Sequence, residues 1–203
     1  PIIPAGYQDC EYLMLGNLVP AVQQSVNRQL RKRPKLIVMD TMNFWMDVAL
    51  ADLKETLKMV DVLVVNDAEA RQLSEEYSIV KAARKIMAMG PKFLVVKKGE
   101  HGALLSHEDK IFPAPALPLE VVFDPTGAGD TFAGGFIGHL ARTGDISFEN
   151  MKTAIIVGSA MASFCVEKFG PERMKEISQN DIAKRIDQFA ELVNFTIAAT
   201  AVS

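Results

Sequence analysis

The hydrophobic pattern of this chain changes period repeatedly along its length. Compact apolar runs, such as Leu36-Ile37-Val38-Met39 and Val62-Leu63-Val64-Val65, read as buried strands. Between them apolar residues recur at helical spacing, which predicts amphipathic helices. Residues 11–16 form a short buried strand, broken by Asn17 and Pro20. A helix follows over 20–31, with Val22, Val26 and Leu30 in one stripe and Arg28, Arg31 and Lys32 towards its C-terminal end. The strand at 36–39 ends in Asp40, residues 52–59 are helical, and 61–65 form the next strand. Ser78 is the expected cap of a helix over 78–89, with Ile79, Ala82, Ala83, Ile86 and Met87 inward and Gly90-Pro91 at its end. Residues 93–99 form a strand running into a turn, and a further strand starts at 101–105.

Residues 110–123 carry Pro113, Pro115 and Pro118, so they are extended but neither a central strand nor a helix. Val121-Val122-Phe123 reads as a strand end, and Phe132, Phe136, Ile137 and Leu140 mark a helix after it. Thr143-Gly144-Asp145 stops that helix, and Ser147 caps a long one over 147–168. Its small residues Ala154, Gly158, Ala160 and Ala162 allow close approach by a neighbour. The last helix, over 179–194, turns Ile182, Ile186, Phe189, Leu192 and Val193 inward, and the apolar tail 198–203 frays or docks. Strands alternating with helices imply parallel βα units, with ligands at the strand C-termini.

Composition narrows the picture without changing it. The 203 residues are 49% hydrophobic and 23% charged, which suits one α/β domain over 1–203 with a substantial core. A net charge of -3, with no basic cluster beyond residues 28–35, does not suggest nucleic-acid binding. No apolar run reaches the roughly 18 residues of a membrane span, and no signal-peptide pattern opens the chain. Cys10 and Cys165 are far apart and have no metal-ligand spacing, so a reducing, cytoplasmic setting is expected.

The chemistry concentrates in Asp124-Pro125-Thr126-Gly127-Ala128-Gly129-Asp130-Thr131-Phe132-Ala133-Gly134-Gly135-Phe136. Gly127 and Gly129 permit positive φ and let the backbone approach a ligand. A helix start has unpaired N–H groups and partial positive charge, and together these make an anion site for which phosphate is the usual ligand. Asp130 repels such a ligand unless it acts as the base for an attacking hydroxyl. The competing reading makes Asp130 a helix-capping acid. The string is neither a dinucleotide fingerprint nor a P-loop, since its spacing differs and no Gly-Lys-Ser/Thr ending is present.

This string closely resembles the C-terminal signature of the ribokinase-like, or PfkB-type, carbohydrate kinases. The resemblance runs from about residue 11 to the end and matches the C-terminal part of that family. It implies a three-layer α/β/α sandwich with a mostly parallel central sheet. It also implies that the N-terminal part and the β-sheet lid, which hold most sugar contacts, are missing here. By resemblance Asp130 is the catalytic base, and the amides of Gly127, Ala128 and Gly129 form the anion hole. The implied reaction is transfer of the γ-phosphate of ATP, with Mg²⁺, to a hydroxyl of a sugar or sugar-like molecule. A vitamin or nucleoside hydroxyl as acceptor, and a nucleotide-binding module without catalysis, stay open as alternatives. A homodimer is among the assemblies the family allows.

Three further stretches fit the resemblance, each with a plainer reading beside it. Asn66 and Glu69 match a family Asn-x-x-Glu pattern that holds the water shell of magnesium, and they equally spell a capping box. Lys97, Gly99 and Gly102 lie where the family touches nucleotide phosphates. Lys97 departs from the usual threonine, and is either a point charge for phosphate or a solvated strand end. Asp40 and Asn43 resemble a loop placed near the phosphates, or are a turn acid and a helix cap. A monovalent cation such as K⁺ would by resemblance be lined by Asp124 and Thr126, with carbonyls near Lys168 and Gly170. Trp45 is read as packing, His101 and His107 as surface residues, and His139 as polar-facing or half-buried.

Overall fold

The computed structural model describes residues 2–194, and the expected behaviour of the tail 198–203 lies outside them. Six strands form one sheet in sequence order: β1 (Tyr12–Leu15), β2 (Leu36–Asp40), β3 (Val62–Asn66), β4 (Phe93–Lys97), β5 (Ala103–His107) and β6 (Lys110–Ala114). The first four run parallel, and β4, β5 and β6 pair antiparallel as a meander at one edge. Pro113, which lacks a donor, stands in the edge strand β6, the one place in a sheet that tolerates it.

Strands β2, β3 and β4 are apolar on both faces because helices cover both faces. Ile37, Met39, Leu63, Val65, Leu94 and Val96 point to one side. There they pack on Leu53 and Leu57 of α3 (Leu50–Leu57), Ala70 and Leu73 of α4 (Asp67–Ser74), and Ala83 and Ile86 of α5 (Ile79–Met87). Met46 of α2 (Asn43–Val48) and Val26 of α1 (Pro20–Arg28) join this core. Val38, Val62, Val64, Phe93 and Val95 point the other way, onto α6 (Ala128–Thr143) and α7 (Phe148–Cys165). This is the three-layer α/β/α sandwich with a mostly parallel sheet.

Glycine decides how closely α6 and α7 approach. A Cβ on Gly135 would stand 3.0 Å from the Gly158 Cα, and one on Gly158 would stand 2.7 Å from the Phe132 carbonyl oxygen. Neither position has room for a methyl group. The last helix, α8 (Gln179–Leu192), joins α7 through buried Phe189 and through Arg185. That guanidinium lies 3.9 Å above the Phe164 ring and donates to Glu167 Oε1 at 2.6 Å.

Several expectations are corrected. Leu192 and Val193 are 46% and 55% exposed, because α8 ends there and its buried anchor is Phe189. Ser78 precedes α5 but makes no side-chain cap. Val121-Val122-Phe123 is loop, not a strand end, and all three side chains are more than half exposed. His139 is buried: Asn150 Oδ1 lies 2.9 Å from its Nε2, a partner on the next helix that supplies what solvent otherwise would. His107 is no simple surface residue, since it stacks on Phe93 at 4.1 Å. Trp45 packs as expected, edge-on to Phe44 at 5.0 Å, with its indole N–H on Asn17 Oδ1.

Candidate active site

The alternation that carries valines to the α6 side continues to the strand ends. Asp40 follows Val38 on β2 by two positions, and Lys97 follows Val95 on β4 by two, so both share that face. They meet there: Lys97 Nζ lies 3.5 Å from Asp40 Oδ2. Asp40 is 6% exposed, and its Oδ1 accepts the Thr41 N–H at 2.9 Å. Burial pushes its carboxyl above the ordinary range, Asp130 adds to the rise, and Lys97 and the Thr41 amide oppose it. Asp40 is therefore an ion-paired carboxylate as well as a turn acid. Asn43 is exposed in the first turn of α2, and the cap position belongs to Met42.

Lys97 is not a solvated strand end. Its side chain is 21% exposed, and its Nζ would be 3.0 Å from a Cβ built on Gly129. The two motif glycines thus have different tasks. Gly127 is the N-cap of α6 at φ 81°, a left-handed conformation that suits glycine. Gly129 has no positive φ and lies inside the helix, where its bare Cα lets the ammonium come close.

The start of α6 has no side-chain cap. Of the three amides expected in the anion hole, that of Ala128 turns back to the Pro125 carbonyl at 3.2 Å. The N–H groups of Gly127 and Gly129 make no hydrogen bond among the described residues. The loop is held from several sides: Phe123 N–H donates to the Val166 carbonyl at 2.9 Å, Thr126 N–H to Asp124 Oδ1 at 2.9 Å, and the buried Cys165 thiol lies 3.7 Å from the Thr126 carbonyl. Asp130, in the first turn, is exposed beside Asp40 and Lys97.

Asn66 and Glu69 make both bonds of a capping box, each at 2.8 Å. Glu69 is also half-buried. Burial pushes its carboxyl up, with Asp40 adding to the rise, while the Asn66 amide and Lys97 pull it down. A carboxylate in that state is under-compensated, which fits a residue that grips the waters of a divalent cation. Among the described residues no group of three His, Cys, Asp or Glu side chains converges on one point. Direct ligation by a protein cage therefore does not fit among the described residues. Asp124 is different. Its carboxyl is held below the ordinary range by the Thr126 amide first, then the Thr126 hydroxyl, with the Gly170 amide helping. Asp124 is therefore held as a carboxylate by the turn it opens.

Gly99 and Gly102 also separate. A Cβ on Gly102 would stand 2.0 Å from the Ala114 carbonyl oxygen, so sheet packing alone requires that glycine. Gly99 has φ 56° and open space around it. The pairing of Asp40 with Lys97 is the feature sequence reasoning missed, and the period-two register of β2 and β4 was the signal for it. Beside Asp40, the buried Thr41 Oγ1 and Gln23 Oε1 have no hydrogen-bond partner among the described residues, as expected of a place that takes water or ligand.

A family profile described as pfkB family carbohydrate kinase matches residues 7–177. The chain is 29% identical over 143 residues to a cytidine kinase from Thermococcus kodakarensis, covering 69% of this chain and 51% of that protein. It is 28% identical over 134 residues to a ribokinase from Staphylococcus aureus, covering 62% and 42%. The chain thus spans about half the length, or less, of these curated relatives. Among solved structures, a fructokinase from Vibrio cholerae O395 in its fructose-, ADP- and calcium-bound form superposes with TM-score 0.75 at 19% identity, over 91% of this chain and 63% of that one. An aminoimidazole riboside kinase from Salmonella enterica superposes with TM-score 0.71 at 20% identity, over 88% and 63%. These likenesses show the fold.

Proposed function

The chain belongs to the pfkB family of carbohydrate kinases, and from that premise we propose that it holds the nucleotide and catalytic base of an ATP-dependent phosphotransferase. The acceptor is a hydroxyl of a sugar or sugar-like molecule. The observation that carries this reading is the exposed Asp130 carboxylate in the same helix turn as the Gly127 and Gly129 amides, which have no partner among the described residues. The turn stands at the C-terminal edge of a parallel sheet, where α/β proteins place ligands.

Asp130 accepts the proton of the attacking hydroxyl as that oxygen bonds to the γ-phosphorus and the bond to the ADP oxygen breaks. A carboxylate suffices as the base because the transition state is loose and positioning carries most of the catalysis. The amides of Gly127 and Gly129 donate to the phosphoryl oxygens; a donor of this kind is typically worth ~3 kcal/mol. Glu69 would help to hold magnesium, which would supply neutralisation of the phosphate charge. No step is assigned to a monovalent cation.

The test is Asp130→Asn in the protein that carries these residues, with ADP release measured over a panel of sugars and nucleosides. Transfer is expected to fall roughly 10²–10⁴-fold while nucleotide affinity stays within about twofold. Parental rates in the variant would remove Asp130 from the mechanism. The same panel decides between sugar and nucleoside acceptors. The second class is kept because a cytidine kinase and nucleoside kinases stand among the relatives beside ribokinases.

A further inference from the structure

Three carboxylates, Asp40, Glu69 and Asp130, influence one another or Lys97 at the ends of β2, β3 and β4 and the start of α6. Such a group repels a polyanion. Into it Lys97 brings a full positive charge in a defined place. Its Nζ reaches from the buried Asp40 carboxylate to the backbone of Gly129, one residue before Asp130. A lysine at a strand end with no task beyond solubility extends into water, whereas this one is four-fifths buried, with a glycine where a side chain would crowd its ammonium.

We propose that Lys97 is the residue that distinguishes a nucleotide with its terminal phosphoryl group from the diphosphate left after transfer, and that Asp40 is a positioning residue acting through it. The proposal rests on the phosphotransferase reading above. If Asp130 takes the acceptor's proton, the group in transfer lies next to Asp130, which is where the ammonium stands. The Gly127 and Gly129 amides offer partial charges, whereas Lys97 offers a whole one, so the ligand with the extra negative group gains most from it. Asp40 fixes the ammonium on the Gly129 side and keeps it from folding back onto the base. The buried ion pair is thus kept for placement, since such pairs contribute little net stability.

The experiment measures ATP and ADP affinities of the full chain by calorimetry in magnesium-containing buffer. Its readout is their ratio, which a merely structural role would not move. Lys97→Met is expected to lower the preference for ATP about tenfold, and Lys97→Arg to keep it. Asp40→Asn is expected to lower it about threefold, and to add nothing in the Lys97→Met background. Lys97→Met leaves Asp40 buried without its partner, so unfolding midpoints are recorded alongside. The double variant Asp40→Asn/Lys97→Met, in which neither charge remains, is the folded comparator.

If the parent chain binds neither nucleotide, the phosphotransferase reading and this proposal fall together. A parent that binds both, with Lys97→Met or the double variant keeping the parental ratio, overturns the proposal alone. Independent, additive losses at the two positions overturn the positioning role of Asp40.

Discussion

The helices α4 and α8 begin with the same local device in opposite electrical surroundings. At α4, Asn66 and Glu69 exchange side-chain and backbone bonds, and at α8 Ser178 and Asp181 do the same. Glu69 is half-buried, and burial first, then Asp40, raises its carboxyl above the ordinary range. Asp181 is also half-buried, yet the Ser178 hydroxyl and amide outweigh its burial and hold its carboxyl low. Cap geometry is therefore a local property, while the charge state of the cap is set by what the fold places around it. The two caps share one geometry, and they differ in whether burial or local donors dominate the carboxyl.

The largest test of this contrast is ligand binding. Glu69→Gln is expected to weaken magnesium-dependent nucleotide binding roughly 10–100-fold, while Asp181→Asn changes it by less than about twofold. Equal losses in the two variants would dissolve the contrast. A smaller effect is shared. Asn66→Ala and Ser178→Ala should each destabilise the protein by about 1 kcal/mol in chemical denaturation, because both remove one cap. A cost confined to one of them would show that the two boxes are not equivalent locally.

The smallest effect has opposite signs at the two sites. The folded pKa of Asp181 is depressed below its usual 3.8, so its stabilisation is present above that value and is lost as pH falls through the folded value. The folded pKa of Glu69 is raised above its usual 4.5, so its contribution is present below 4.5 and is lost as pH rises through the folded value. Thermal melts from neutral pH into the acid range should show Asp181→Asn flattening the acid loss of stability and Glu69→Gln steepening it. Slopes that change in the same direction would contradict the assigned surroundings.

Much of the fold was legible because its cause is local. The valine-rich runs of β2, β3 and β4 needed cover on both faces, and the alternation of periods placed helices there. The Gly127–Gly129 turn was legible for the same reason. The pairing of Lys97 with Asp40 was not, because alternation gives the shared face but not that side chains on non-adjacent strands meet across β3. The distinct uses of Gly127 and Gly129 were hidden likewise, since one answers to its own φ and the other to a distant ammonium. His139 is buried only because Asn150, on the following helix, satisfies its ring. Ser78 shows the converse error, a residue with the right chemistry in the right place that makes no cap.

The absence of methyl groups at Gly135 and Gly158 has a consequence for how precisely the anion loop can be aimed. Two helices whose backbones touch cannot rotate about their long axes or slide past each other without collision. The loop before α6 is in turn pinned to the C-terminal end of α7 through Val166 and Cys165. Bulk added at Gly158 would press on Phe132, swing the muzzle of α6 and misalign donors that no substitution had touched.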